Sequence, residues 1–222
     1  LTPRMSVKYA AVLVWLSILR PLRDRLRTLR GGHPVRVFTL HRVTSLCRDG
    51  MTISPAAFRK QLEYVKRHHD VIPLDRAMQL VAKGERLRRP AAAITFDDGY
   101  ASVDQHARPI MSWLGMPVSC FVCPGVLDTD GRYQHDQESP VRYWLNVMGW
   151  DSIAALRDGG WSIGSHSVTH ARLSALERDD LERELRESRD ALRERLGEER
   201  LSIAYPFGGT DDITAEGVVA AR

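Results

Sequence analysis

The feature that most constrains this chain is an apolar run that breaks on two acids. Ala91-Ala92-Ala93-Ile94-Thr95-Phe96 is followed at once by Asp97-Asp98-Gly99-Tyr100. A short apolar run bounded by a turn signal reads as a buried strand. Two adjacent carboxylates at its mouth repel each other and lose hydration, and a bound cation is the simplest compensation. By itself Asp-Asp-Gly also describes a solvated strand-to-helix turn, because Asp and Gly are common turn residues. The rest of the chain decides between the two.

Strand and helix patterns alternate along the 222 residues. Val35–Leu40 alternates like a first strand and ends at His41. Ser54-Pro55 opens a helix carrying Phe58, Leu62 and Val65, which runs to about His68. A short strand at Val71–Leu74 leads into a helix from Asp75 to Lys83. The strand 91–97 feeds a helix ending at Leu114-Gly115. Val118–Cys123 is a fourth strand, and Trp161–Gly164 runs into His166 after a short helix at 152–157. Ser174-Ala175-Leu176-Glu177 has the form of a capping box before a long helix with Leu181, Leu185, Leu192 and Leu196 on its buried face. Leu201–Ala204 is a sixth strand, ending in Tyr205-Pro206-Phe207-Gly208, and a last helix begins near Thr214. Such alternation predicts an α/β fold with a mostly parallel sheet or barrel, whose chemistry lies where strands end. His41, Asp97 and Asp98, His166 and His170, and Tyr205 to Phe207 all stand at such ends.

Composition narrows the function. With 43% hydrophobic and 27% charged residues the chain is an ordinary globular one. Its formal charge of +4 is mostly arginine concentrated between Arg20 and Arg30, with no basic stripe interleaved with aromatics, so nucleic-acid binding is not expected. Cys120 and Cys123 lie in a strand pattern, where residues three apart point to opposite faces, so they read as packing thiols. Residues 1–34 form an N-terminal unit: the apolar run Tyr9–Leu19 is shorter than the roughly 20 residues that span a bilayer. With the arginines that follow, residues 7–30 suit either a helix lying in a membrane surface or one packed on the domain. No small-residue cleavage site follows the run. The expected location is membrane-associated or extracytoplasmic. Residues 35–222 form the second unit.

His166-Ser167-Val168-Thr169-His170 places two imidazoles four residues apart, which in a helical turn shares one face. With one aspartate they make a two-His, one-Asp zinc pattern with open positions. The second aspartate is then free to accept a proton from water. That points to metal-assisted hydrolysis of an amide or ester, with a backbone N–H at the Tyr205–Gly208 turn holding an oxyanion.

The three motifs Thr95-Phe96-Asp97-Asp98-Gly99, His166 to His170, and Ala204-Tyr205-Pro206-Phe207-Gly208, in this order, resemble those of the polysaccharide deacetylase family, and Leu40-His41-Arg42-Val43 resembles its poly-N-acetylglucosamine branch. The resemblance implies a distorted (β/α) barrel, a divalent metal, first of all zinc, and an N-acetylated polysaccharide or oligosaccharide as substrate. It implies Asp97 as general base, Asp98, His166 and His170 as metal ligands, and Phe207 as backbone oxyanion donor. His41 and Tyr205 are candidates for lining the site, and His135-Asp136 for a substrate groove. Many members carry Arg where Ala204 stands. The family's last two motifs, which supply an acidic residue and a general-acid His, do not follow Phe207, so the resemblance implies a barrel truncated at its C-terminus. The leading expectation is a metal-dependent polysaccharide N-deacetylase. The runner-up is a metal- or carbohydrate-binding module impaired in catalysis. A metal-free hydrolase of cyclic amides is disfavoured by the retained His166 and His170.

Overall fold

The structure, a computed structural model, describes residues 20–129, 133–197 and 201–221. Its centre is a parallel sheet. Strand β1 is Val35–Leu40, β2 Arg42–Val43, β3 Thr52–Ile53, β4 Asp70–Val71, β5 Ala91–Phe96, β6 Ser119–Val122 and β7 Ser162–Ser165. The main sheet runs β1-β5-β6-β7, with β4 also pairing β5, and every pairing is parallel. β5 is the central strand because all six of its residues are buried, as an apolar run without alternation requires. β2 and β3 pair separately.

The helices are α1 Arg20–Arg30, α2 Pro55–His68, α3 Leu74–Ala82, α4 Arg108–Leu114, α5 Trp150–Asp158, α6 Arg178–Leu196 and α7 Ala215–Ala220. α2 starts as read: Ser54 Oγ accepts from Ala57 N–H, and Phe58, Leu62 and Val65 are buried. Phe96 is fully buried, its ring 5.7 Å from both Phe58 and Trp161. Burying one such side chain contributes about 1.5–3 kcal/mol. α4 is preceded by a widened π-turn at Val103–Ala107. Pro109, second residue of α4, has no N–H with which to continue a regular ladder back into this turn. Gly115 and Gly197 close α4 and α6 in left-handed conformations, φ 59° and 67°.

Two expectations need correction. The capping box at Ser174 does not form: 173–175 is a 3-10 turn, and α6 begins at Arg178 behind Glu177, which makes no side-chain cap. The sixth strand is reduced to a single parallel bridge, Ser165 to Ile203. The sheet is therefore open on this side among the described residues. Trp161 belongs to the core, while Trp144 is exposed.

Cys120 and Cys123 are free, buried thiols, raised in pKa by burial. The apolar run 9–19 lies outside the described residues. Among those described, no helix is long and apolar enough to cross a membrane.

Candidate metal centre

Parallel strands bring their carboxyl ends to one edge, and the site stands there. The Asp97 N–H donates to Leu40 O at 2.9 Å, so His41 and Asp97 leave adjacent strands side by side. Asp98 and Gly99 both take left-handed backbone, φ 70° and 69°. Gly99 has a second constraint, since a Cβ there would lie 3.0 Å from Val122 Cγ1. The turn is held from outside by the long irregular connection between β6 and α5. Tyr133 OH donates to Asp98 O at 2.5 Å, and Met148 N–H to Gly99 O at 2.8 Å.

His166 and His170 converge through a loop, not through the helical turn that their spacing suggested. Ser167 and His170 are both left-handed, each with φ 63°. Ser167 N–H donates to Ser165 Oγ at 3.2 Å, and His170 N–H to Ser167 Oγ at 3.1 Å. The loop is braced by Glu184 of α6. Its carboxylate accepts from Val168 N–H at 2.8 Å, Thr169 N–H at 3.0 Å and the Thr169 hydroxyl at 2.8 Å. Sequence reading missed Glu184. The available signal was a glutamate and a serine, Glu184 and Ser188, set on the leucine stripe of α6 where an apolar residue is expected.

Asp98 Oδ1 lies 3.4 Å from His166 Nε2 and 3.3 Å from His170 Nε2. One ligand atom from each of the three residues falls within 4.8 Å of the others. Both carboxylate oxygens of Asp98 are buried without a hydrogen-bond partner among the described residues. His166 Nδ1 donates to Ala204 O at 2.8 Å, which leaves the Nε2 lone pair facing Asp98. Orphaned buried oxygens beside imidazole lone pairs fit a divalent cation, and two His with one Asp is a donor set that zinc accepts.

The two aspartates differ electrostatically. Burial would raise the Asp98 carboxyl, but the imidazoles of His166 and His170 outweigh it and hold it far below the usual range. Asp97 is pushed up to about 6, chiefly by burial; His166 and His170 oppose the rise and Asp98 adds to it. Burial disfavours the charged form of His166, yet its contact with Asp98 and the charge of Asp97 leave its pKa raised. His41 is half-buried and lowered, mainly by burial, against the pull of Asp98.

The connection between β6 and α5 adds residues that the motifs did not name. Arg42 Nη1 donates to Asp136 Oδ1 at 2.5 Å, with 4% and 2% of the two side chains exposed. Tyr100 OH donates to Asp136 Oδ2 at 2.5 Å. His135 stands beside them, 3.8 Å from Asp98 Oδ2, with its pKa lowered by burial. A cleft of 850 Å³ opens from the centre, lined by Tyr133, His135, Glu138, Thr169, His170 and Phe207. The Phe207 ring lies 5.0 Å from that of His170 and is covered by the Arg172 guanidinium, which pairs with Asp212. The Phe207 backbone is left-handed, φ 67°. Tyr205 instead packs with the second hydrophobic cluster, around Leu173, Leu181 and Leu185.

Comparison with known proteins bears on the family and the fold. The profile of the polysaccharide deacetylase family matches residues 84–221. YxkH of Bacillus subtilis (strain 168), assigned by name to the polysaccharide deacetylases, is 23% identical over 138 residues, 62% of this chain and 44% of its own length. The chain thus spans less than half of that curated relative. The structure of IcaB from Ammonifex degensii superposes with a TM-score of 0.69 at 23% identity, covering 85% of this chain and 79% of that one. A de-N-acetylase from Aggregatibacter actinomycetemcomitans gives 0.68 at 18% identity, covering 84% and 83%. These two likenesses establish the fold, and the profile, matching more than half of the sequence, establishes the family: this chain is a member of the polysaccharide deacetylases.

Proposed function

We propose that this protein is a metal-dependent hydrolase that removes N-acetyl groups from an amino-sugar polysaccharide. The observation that carries the reading is the Asp98, His166 and His170 cluster with a second, electrostatically distinct carboxylate beside it. Asp98, His166 and His170 would hold the cation, with zinc as the proposed metal. When bound, such an ion supplies Lewis acidity, making water more acidic and an amide carbonyl more electrophilic.

The chain's own residues supply the rest. Asp97, with a pKa of about 6, is ionised at neutral pH yet basic enough to take a proton from the attacking water. The Phe207 N–H is the donor assigned to the developing oxyanion. His41, beside Asp97 at the neighbouring strand end, is assigned to the leaving amine, which must gain a proton as the C–N bond breaks; burial lowers its pKa, so it passes on the proton that Asp97 has taken from water rather than one it holds at rest. This gives the site a general acid that does not depend on residues after Phe207. The cleft walled by Tyr133, His135 and Phe207 accommodates the sugar.

Acetate release from the tetramer of N-acetylglucosamine, measured on the zinc-loaded chain and on Asp97→Asn, tests the reading. Turnover by the parent and a loss of at least about 100-fold in the variant is the expected result for a general base. Sugar binding with no turnover in the parent would favour the binding-module alternative.

A second proposal concerns α1. Leu22, Leu26 and Leu29 are 55%, 43% and 77% exposed and share one face of the helix. Residues 20–30 hold five arginines and one aspartate, a charge of +4 that equals the formal net charge of the whole chain. An exposed leucine stripe flanked by arginines supports peripheral contact with an anionic lipid surface. Sedimentation with vesicles of anionic lipid, lost in Leu22→Glu/Leu29→Glu, tests it. Equal sedimentation with neutral vesicles would refute the charge argument.

A further inference from the structure

The deacetylase reading makes His135 part of the cleft wall at the mouth of the centre but gives its imidazole nitrogens no task. Its surroundings specify which of its nitrogens carries the proton. Nε2 lies 3.0 Å from Tyr100 OH, with Asp98 Oδ2 at 3.8 Å and Asp136 Oδ2 at 3.9 Å. All three neighbours are oxygens. Tyr100 has a single proton and gives it to Asp136 Oδ2 at 2.5 Å. Its oxygen can then only accept from His135. Asp136 cannot swing away to alter this, because Arg42 holds its other oxygen at 2.5 Å. Arg42 is in turn fixed by Asp49 at 3.2 Å and by the Thr52 hydroxyl at 3.2 Å.

The consequence is a locked imidazole. The chain of donors runs Arg42 to Asp136, Tyr100 to Asp136, and His135 Nε2–H to Tyr100. A proton on Nε2 leaves Nδ1 as a lone pair. That nitrogen has no hydrogen-bond partner among the described residues, and a quarter of the side chain is open to the cleft, 24% by area. The ring is also held flat against Tyr133, with centroids 5.3 Å apart and planes within 4°. Tyr133 is itself tied to the Asp98 carbonyl. An acceptor fixed in position and direction, a short distance from the reacting centre, matches the hydroxyl groups that surround the acetamido carbon of a sugar ring.

We infer that His135 is a substrate-recognition residue: its Nδ1 accepts a hydrogen bond from a sugar hydroxyl, and the buried Arg42–Asp136–Tyr100 relay holds it in the tautomer that can do so. This rests on the deacetylase reading for the identity of the substrate. The role is separate from metal binding, since the nitrogen nearest Asp98 is the protonated one. It is also separate from proton transfer, which the proposed mechanism gives to Asp97 and His41.

Two measurements test it. The first is independent of turnover. Imidazole 15N spectra of the zinc-loaded Asp97→Asn chain should show His135 protonated at Nε2, and its Nδ1 resonance should move when the tetramer of N-acetylglucosamine is added. A proton on Nδ1, or a resonance indifferent to the sugar, overturns the inference even if no turnover is ever seen. The second is kinetic. His135→Leu should raise KM about tenfold, the size of one hydrogen bond to a substrate hydroxyl, with kcat within about threefold and zinc affinity unchanged. His135→Gln, which keeps an acceptor, should recover part of the KM. A collapse of kcat at unchanged KM would make His135 catalytic, and a loss of zinc would make it a ligand; either result overturns the assignment. A parent that turns over no acetylated oligomer refutes the deacetylase reading instead, leaving the tautomer and titration result to stand or fall by itself.

Discussion

The carboxylate of Glu184 holds Thr169 at two points, accepting from its backbone N–H at 3.0 Å and from its hydroxyl at 2.8 Å. A residue of the surface helix α6 thereby shapes the loop on which His166 and His170 converge. Glu184→Ala should weaken zinc binding by about 10–100-fold, as loss of an outer support of a metal site typically does. Competition titration of the metal checks this. Unchanged affinity would mean that the loop keeps its shape through Ser165 and Ser167 alone.

Asp97 should set a pH dependence of stability in the metal-free protein. Its folded pKa of about 6 lies above the ordinary carboxyl value of 3.8. A carboxyl with a raised folded pKa gives stability that is fully present below pH 3.8 and is lost as pH rises through 6. At pH 8 the ionised group therefore costs roughly 1–3 kcal/mol. Asp97→Asn should raise the melting temperature of the apo chain at pH 8 and do progressively less as the pH is lowered below 6. Urea or thermal melts at pH 5 and pH 8 decide it. An equal effect at both values would assign the gain to packing rather than to charge.

His166 should make metal affinity fall in acid. Its pKa is raised because Asp98 and Asp97 outweigh the effect of burial, so in the apo state a proton competes for the nitrogen that would hold the ion. Zinc affinity should drop as the pH is lowered through the imidazole range, with protons released on binding. Calorimetry in buffers of different ionisation enthalpy measures that release. His170→Ala should abolish binding, and a chelator should lower the melting temperature of the loaded parent but not of this variant.

The Arg42–Asp136 pair is a structural liability if split. Both side chains are buried, and removing one partner leaves an uncompensated charge, at a cost of about 3–5 kcal/mol. Arg42→Met should destabilise by that order in denaturant unfolding. Arg42→Met/Asp136→Leu should recover much of the loss. If the double variant is as unstable as the single one, the bonds to Asp49 and Thr52, rather than the charge on Asp136, carry the stability.

The sequence by itself determined the alternation of strands and helices, the buried run 91–96 and the three motifs, because each is a local pattern of polarity or turn chemistry. Ser54 as a cap, Gly115 and Gly197 as stops, and the leucine face of α6 follow from neighbours within a turn of the chain. It also brought out His166 and His170 with one of the two aspartates as a candidate donor set, since residue type and spacing suffice for that; the choice of Asp98 as ligand and Asp97 as base came only from the family resemblance. The tertiary structure alone decided how those ligands meet. His166 and His170 converge through two left-handed residues and a brace from Glu184, which a helical reading of their spacing could not supply. The capping box at Ser174 failed because the chain forms a 3-10 turn there and starts its helix three residues later. Arg42, Tyr100 and the pair His135-Asp136 are far apart in the chain, and no short-range pattern links the three places. Only the parallel sheet, by placing its strand ends on one edge, closes those separations and leaves their polar atoms to find partners in one another.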